Sequence, residues 1–282
     1  MASNVKRNQS GLRTKSQTIA SPKKITRDLP AFSDHAGDRH FATTLARGLE
    51  ILHCFTAEGP ILGNKELSER TGLPKPTVSR LTYTLTSLGY LRADYTFGKY
   101  RLGPAVIRLS YPLLATIGLR QSARTAIKQF ADRSKGSVSI GMRDRLDMVY
   151  IESSRTKSIA HRLSDIGFLN PIVGSAMGRA YIAAAEPEER QAIMNEVKLK
   201  RPTEWKRFQG GLLRALEDYN RHGFCLQLGE LRPLNYAVGV PFRSPSGREI
   251  FSFNCVIHSS AIDEKTMMKE IGPQFAAMVR GL

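Results

Sequence analysis

The chain has 282 residues, a net charge of +17 and a pI near 10.1. That length suits about two domains with real cores, and so large a positive excess favours a polyanionic partner, nucleic acid before membrane. No apolar run approaches a membrane span and the N-terminus lacks a signal peptide's apolar core, so the expectation is a cytoplasmic protein without membrane contact.

Residues 1–38 form a basic tail with few large apolar groups, expected to be disordered. Within it Ser21-Pro22-Lys23-Lys24 resembles the basic turn that histone tails use in A·T-rich minor grooves. A solvated tail adding sequence-independent phosphate attraction is the plainer reading. From Thr43 to Ala57, Leu45, Leu49, Leu52 and Phe55 recur at helical spacing and predict a helix closing a small core. Two short helices joined by a turn follow, over residues 64–91. Asn64 suits the first N-cap, Gly72 a left-handed end, and Pro76 the opening turn of the second helix. Val78, Leu81, Leu85 and Leu88 make one stripe of that second helix, while Pro76, Ser79, Arg80, Tyr83 and Ser87 share the opposite face. This carboxylate-poor face can bond phosphates and base edges, or be merely solvated. Two β runs around Thr96-Phe97-Gly98 then read as a hairpin, placing Arg92, Lys99 and Arg101 on a wing. Helices plus a basic hairpin make a winged helix-turn-helix at residues 40–103, whose commonest use is DNA binding.

The residues now carry a resemblance. Leu45-Ala46-Arg47-Gly48-Leu49-Glu50-Ile51-Leu52, Glu66-Leu67, Thr71-Gly72-Leu73-Pro74-Lys75, Thr77-Val78-Ser79-Arg80-Leu81, Leu88-Gly89-Tyr90-Leu91 and Tyr100-Arg101-Leu102-Gly103 resemble, in that order, the IclR family of bacterial transcriptional regulators. The resemblance extends over about residues 40–280, with its specific motifs in the N-terminal part. It implies a linker at 104–118 that helps build a dimer, and a C-terminal effector-binding and oligomerisation domain at 119–282 resembling the GAF fold. The fold class is therefore α/β with two domains.

In the second domain an amphipathic helix is predicted over Leu119–Lys135, then strands at Ser137–Arg143, Met148–Glu152 and Ser158–Leu163. A loop from Gly167 runs into a helix over Ala176–Ala185. The small residues there either leave helix N–H groups open to an anion or allow close helix–sheet packing. Helices toward Val197 and over Leu212–His222 follow, with Lys198–Arg207 a basic surface stretch between them. Strands then lie before Phe242 and over Ile250–His258, and a helix over Asp263–Val279 closes the chain. The family resemblance makes Gly174, Ser175, Ala176 and Met177 contacts of a small carboxylate effector. It adds Ser252 and Asn254 from a cavity-lining strand and Tyr236 from its neighbour. Val173, Arg179 and Tyr236 depart from the family's usual histidine, lysine and cysteine, so the ligand's identity stays open.

Catalytic patterns are lacking. Gly174-Ser175-Ala176-Met177-Gly178 does not place Ser at the middle of a nucleophile elbow, and Ser154-Arg155-Thr156-Lys157 lacks the companions of Ser-x-x-Lys enzymes. Cys54, Cys225 and Cys255 stand far apart, and His161, His222 and His258 lack local partners, so no metal or cofactor is expected. The reading is a non-enzymatic regulator that binds a palindromic double-stranded operator through Lys75, Thr77, Ser79, Arg80, Tyr83 and the wing. It would act as a homodimer or homotetramer under a small organic acid. The rival is a small-molecule-binding or hydrolytic enzyme whose N-terminal domain mediates protein contacts.

Overall fold

The computed structural model describes residues 38–94, 96–156 and 165–282. The basic tail with its Ser21–Lys24 turn, Lys157, His161 and the strand expected at 158–163 lie outside these. The chain divides into two compact units, one ending at Tyr111 and one covering Pro112–Leu282.

In the first unit α1 (Thr43–His53), α2 (Asn64–Thr71) and α3 (Lys75–Ser87) pack over a three-stranded sheet of β1 (Leu62–Gly63), β2 (Leu91–Asp94) and β3 (Lys99–Leu102), in the order β1-β3-β2. Ile51, Phe55, Leu67, Val78, Leu85 and Leu91 form its core. Gly72, at φ +72°, ends α2 in the left-handed region, and Pro76 stands in the first turn of α3, as the sequence predicts. Asn64 is not the cap. It is the first helical residue, and its Oδ1 accepts from the Thr82 hydroxyl at 3.4 Å, tying α2 to α3. The open N–H at this helix start belongs to Gly63, which donates to Glu66 Oε2 at 2.9 Å.

The predicted α1 stripe holds at Leu52 and Phe55 but not at its start, and the α3 stripe holds except at its last residue. Leu45 and Leu49 are exposed, and Gly48 and Ile51 face inward instead. In α3, Val78, Leu81 and Leu85 face the core as predicted, Leu88 beyond the helix end at Ser87 is exposed, and fully buried Thr82 joins the inner face, its hydroxyl bonded to the Ser79 carbonyl. The helix α4 (Ala105–Thr116) runs through Pro112 and has no buried residue.

The second unit is a three-layer α/β structure. Among the described residues its sheet has the order β6-β5-β4-β9-β8-β7. The strands are β4 (Ser137–Asp144), β5 (Asp147–Arg155), β6 (Leu169–Pro171), β7 (Cys225–Leu228), β8 (Asn235–Arg243) and β9 (Ile250–His258), paired antiparallel. On one face lie α5 (Gly118–Ser134) and the closing segment, which is α9 (Glu264–Thr266), a π turn (Met267–Ile271) and α10 (Gly272–Arg280). Phe130 and Phe275 pack there with ring centres 5.0 Å apart, over Val138, Ile140, Phe253 and Cys255. The other face carries α6 (Ala176–Ala184), α7 (Pro187–Lys200) and α8 (Pro202–His222), over Met148, Ile172, Met177 and Ile182. The basic stretch Lys198–Arg207 ends α7 at Lys200, breaks at Arg201 and opens α8. Pro202 opens α8 ten residues before the predicted start, since proline at a helix start forfeits no bond. The edge strands β6 and β7 are three and four residues long, too short for a periodic sequence signal.

Candidate functional site

Two sites emerge, one in each unit. In the first, α3 buries Val78, Thr82 and Leu85 and turns the opposite face outward. Lys75, Ser79, Arg80 and Tyr83 are exposed, Tyr83 by 75 %, and Thr77 is half-buried. The side chains of Thr84 and Ser87 bond back to the carbonyls of Arg80 and Tyr83, so the helix satisfies its own hydroxyls there. Beside it the wing pairs Arg92 directly with Arg101 across β2 and β3, both exposed. Like charges directly opposite destabilise a hairpin unless an anion lies between them. Arg80, Arg92 and Arg101 have no carboxylate partner among the described residues.

Lys99 differs from these. It pairs with Glu66, the same carboxylate that accepts from Gly63 N–H, and so fastens the wing's strand to α2. The Lys99 hydrogen bond, ahead of the backbone contacts, holds the Glu66 carboxyl below the usual carboxylate range. Lys99 therefore braces the wing, with its charge already matched.

The second site is a cavity on the α6 side of the large sheet. It encloses about 470 Å³ between atoms, its open mouth included. Ser137, Tyr150, Asn170, Asn235, Ala237, Asn254 and Val256 line it from strands, Ser175 and Ala176 from the start of α6, and Gln227, Leu231 and Arg232 from β7 and the following loop. The Ser175 side chain caps α6, accepting from Gly178 N–H at 3.1 Å. The amides of Ala176 and Met177 in that first turn have no helical acceptor. Tyr150 Oη accepts from Asn170 Nδ2 and from Asn254 Nδ2, each at 2.9 Å. Arg232 stacks on Phe168, 5.0 Å from the ring centre.

The β7–β8 loop, which gives the cavity Leu231 and Arg232, is anchored at Glu230 and Leu231. With its amide oxygen turned to the loop, Gln227 accepts from Glu230 N–H and Leu231 N–H at 2.7 and 2.6 Å. Glu230 reaches buried Arg179 at 2.5 Å and exposed Arg214 at 2.7 Å, while Arg207 donates to the Glu230 carbonyl at 2.8 Å.

Of the seven expected effector residues, Ser175, Ala176 and Asn254 line this cavity. The other four do not. Tyr236 points to the opposite face of the sheet, because β8 alternates and its odd positions, Asn235 and Ala237, face the cavity. Met177 is packed in the core against Gly141, and Gly174 abuts the Phe208 ring. Ser252 shares the face of Asn254 but is sealed between Gly141 and Pro241. Tyr150, Asn170 and Arg232 were missed by sequence reasoning. The alternation of Ser137, Ser139 and Gly141 marks the polar face of β4, but a register shift at Ile140/Gly141 sets Tyr150 opposite Gly141, so alternation alone does not reach it.

Two family models match the chain: the IclR helix-turn-helix domain over residues 44–94, and the bacterial transcriptional regulator IclR C-terminal domain over residues 112–281. The chain belongs to the IclR family. It is a DNA-binding transcriptional regulator of that type, with a winged helix-turn-helix and a C-terminal α/β domain. Among its IclR-family relatives, the HTH-type transcriptional regulator TsaQ1/TsaQ2 of Comamonas testosteroni is 32 % identical over 241 residues, 85 % of this chain and 86 % of that one. The crystal structure of an IclR family transcriptional regulator from Brucella abortus is 39 % identical, with a TM-score of 0.75 over 88 % of this chain and 94 % of the other. An IclR homolog from Microbacterium hydrocarbonoxydans, crystallised in complex with 4-hydroxybenzoate, shares the fold at 21 % identity, with a TM-score of 0.66 over 84 % and 98 % of the two chains.

Proposed function

We propose that this IclR-family regulator binds a short palindromic operator as a homodimer or a pair of dimers, and that a small organic acid in the C-terminal cavity controls it. The observation that carries the reading is the outward face of α3, where Ser79, Arg80 and Tyr83 stand exposed while Val78, Thr82 and Leu85 anchor the helix beneath. Lys75, Thr77, Ser79, Arg80 and Tyr83 contact the major groove, and Arg92 and Arg101 take flanking phosphates. Lys99 supports the wing rather than the DNA.

Two-fold symmetry would set two such helices about one turn of duplex apart. The exposed apolar residues Leu45 and Leu49 on α1, and Ile107, Leu109, Tyr111 and Leu113 on α4, support pairing of two copies. Ala176 at the start of α6 and Arg232 both line the cavity, a setting that suits a carboxylate. Such an acid acts only by binding one arrangement of the two DNA-binding units better than another. Among the described residues no helix is long and apolar enough to cross a membrane. With DNA as the partner, the protein works in the cytoplasm as a regulator rather than as an enzyme.

A gel shift with the DNA upstream of the protein's own coding sequence tests the reading. A discrete shifted band at moderate salt, outcompeted by the same sequence and not by random duplex, is expected. No binding even at low salt would overturn it.

A further inference from the structure

We propose that the cavity selects a hydroxycarboxylic acid, with the ligand's hydroxyl donating to Asn254 Oδ1 and its carboxylate facing Arg232. The inference rests on the organic-acid reading above and narrows it. Two independent observations carry it. Asn254 is 3 % exposed and lines the cavity; its Nδ2 is spent on Tyr150, and its Oδ1 is buried with no partner among the described residues. A buried acceptor without a donor costs the fold free energy, and a ligand that supplies an O–H restores it. The second observation lies on another part of the wall. Arg232 stacks on Phe168 and has no carboxylate partner among the described residues, so its charge is available to an anion.

Next to Asn254 in the sheet register, Ala237 and Val256 pair across β8 and β9, and with Ala176 they add small apolar surface to a lining that is otherwise mostly polar. A short carbon framework carrying one acid and one hydroxyl fits that pattern. A plain carboxylic acid leaves Asn254 Oδ1 unmatched, and a methoxy or keto analogue sets acceptor against acceptor. Sites built to receive a hydroxyl reject analogues that lack it, because the protein group is stranded.

The test is calorimetric titration of the full-length protein with matched sets: 4-hydroxybenzoate against benzoate and 4-methoxybenzoate, 4-hydroxybutyrate against butyrate, and 4-hydroxybenzamide as the uncharged control. In at least one framework the hydroxy acid should bind about tenfold or more tighter than its hydroxyl-free partner, the scale of one buried hydrogen bond. Asn254→Ala should erase that preference. Arg232→Gln should weaken the acids and leave the amide unchanged. Equal or tighter binding of the hydroxyl-free or methoxy partners by the parent protein overturns the proposal and leaves the organic-acid reading standing. Binding of no acid at all removes both. The matched sets on the parent protein decide the point whether or not Asn254→Ala folds.

Discussion

Arg179 and Glu230 meet at 2.5 Å, joining the middle of α6 to the β7–β8 loop that helps line the cavity. Arg179 is 1 % exposed and also donates to the carbonyls of Val173 and Leu226, at 3.2 and 3.1 Å. Burial pushes its guanidinium below the ordinary value, and the Glu230 carboxylate works against that push. Removing the carboxylate would leave a buried charge with two carbonyls only. Glu230→Gln is expected to destabilise the second unit by about 2–3 kcal/mol. That is less than the ~3–5 kcal/mol of a fully buried pair, since Glu230 is partly solvated. Trp205, the chain's single tryptophan, lies in α8 of the same unit, so its fluorescence in a urea titration reports the change. A shift below about 0.5 kcal/mol, the scale of a surface pair, would show the pair to be solvated.

Arg80→Ala should weaken operator binding about tenfold or more, consistent with the loss of one base or phosphate contact. Its unfolding midpoint should match the parent's, because Arg80 is exposed and touches no core residue. Arg92→Ala, on the wing, should weaken binding to all duplexes alike and reduce the salt slope by about one. Gel shifts at two salt concentrations separate the two. If Arg80→Ala binds like the parent at matched salt, the assignment of α3 fails.

Glu66 gives a pH signature. Its carboxyl is held below the ordinary 4.5, first by Lys99 and then by backbone N–H groups. A lowered carboxylate stabilises the fold fully above its unfolded value and loses that contribution as pH falls through its folded one. The side chain is 40 % exposed, so the contribution is small, under about 1 kcal/mol. Glu66→Gln should therefore melt below the parent at neutral pH, and the gap should narrow as pH drops under 4.5. Circular dichroism melts across that range check it; a gap that stays constant into acid would count against the ion pair.

Gly178 tests the packing of α6. A Cβ there would overlap the Ile172 carbonyl and backbone, which cannot yield as a flexible side chain would. Gly178→Ala should destabilise the second unit by about 1–3 kcal/mol, as overpacking does, despite alanine's better helix propensity. A thermal melt followed at Trp205 would show it; an unchanged or raised midpoint would mean the loop before α6 can move.

Much of this was legible in the sequence, and the misses have physical causes. The recognition helix was readable because Val78 and Leu85 fix its buried side and Gly72 and Pro76 fix the turn before it. Leu45, Leu49 and Leu88 misled because helical spacing cannot distinguish a stripe facing its own core from one left open to another surface. Lys99 looked like a phosphate ligand because Glu66, its partner, is 33 residues away in sequence. In the cavity, Asn254 could be placed from the alternation of its own strand. Tyr150, Asn170 and Arg232 could not, since strand order and the course of the β7–β8 loop bring them together.

The strand β9 divides its labour by parity. Phe251, Phe253, Cys255 and Ile257 are sunk in the foundation, while Asn254 and Val256 meet whatever occupies the cavity. A change at either of the latter leaves the apolar side untouched. Diversification of what such a regulator senses can thus proceed at alternate positions of a single strand, without renegotiating how the domain holds together.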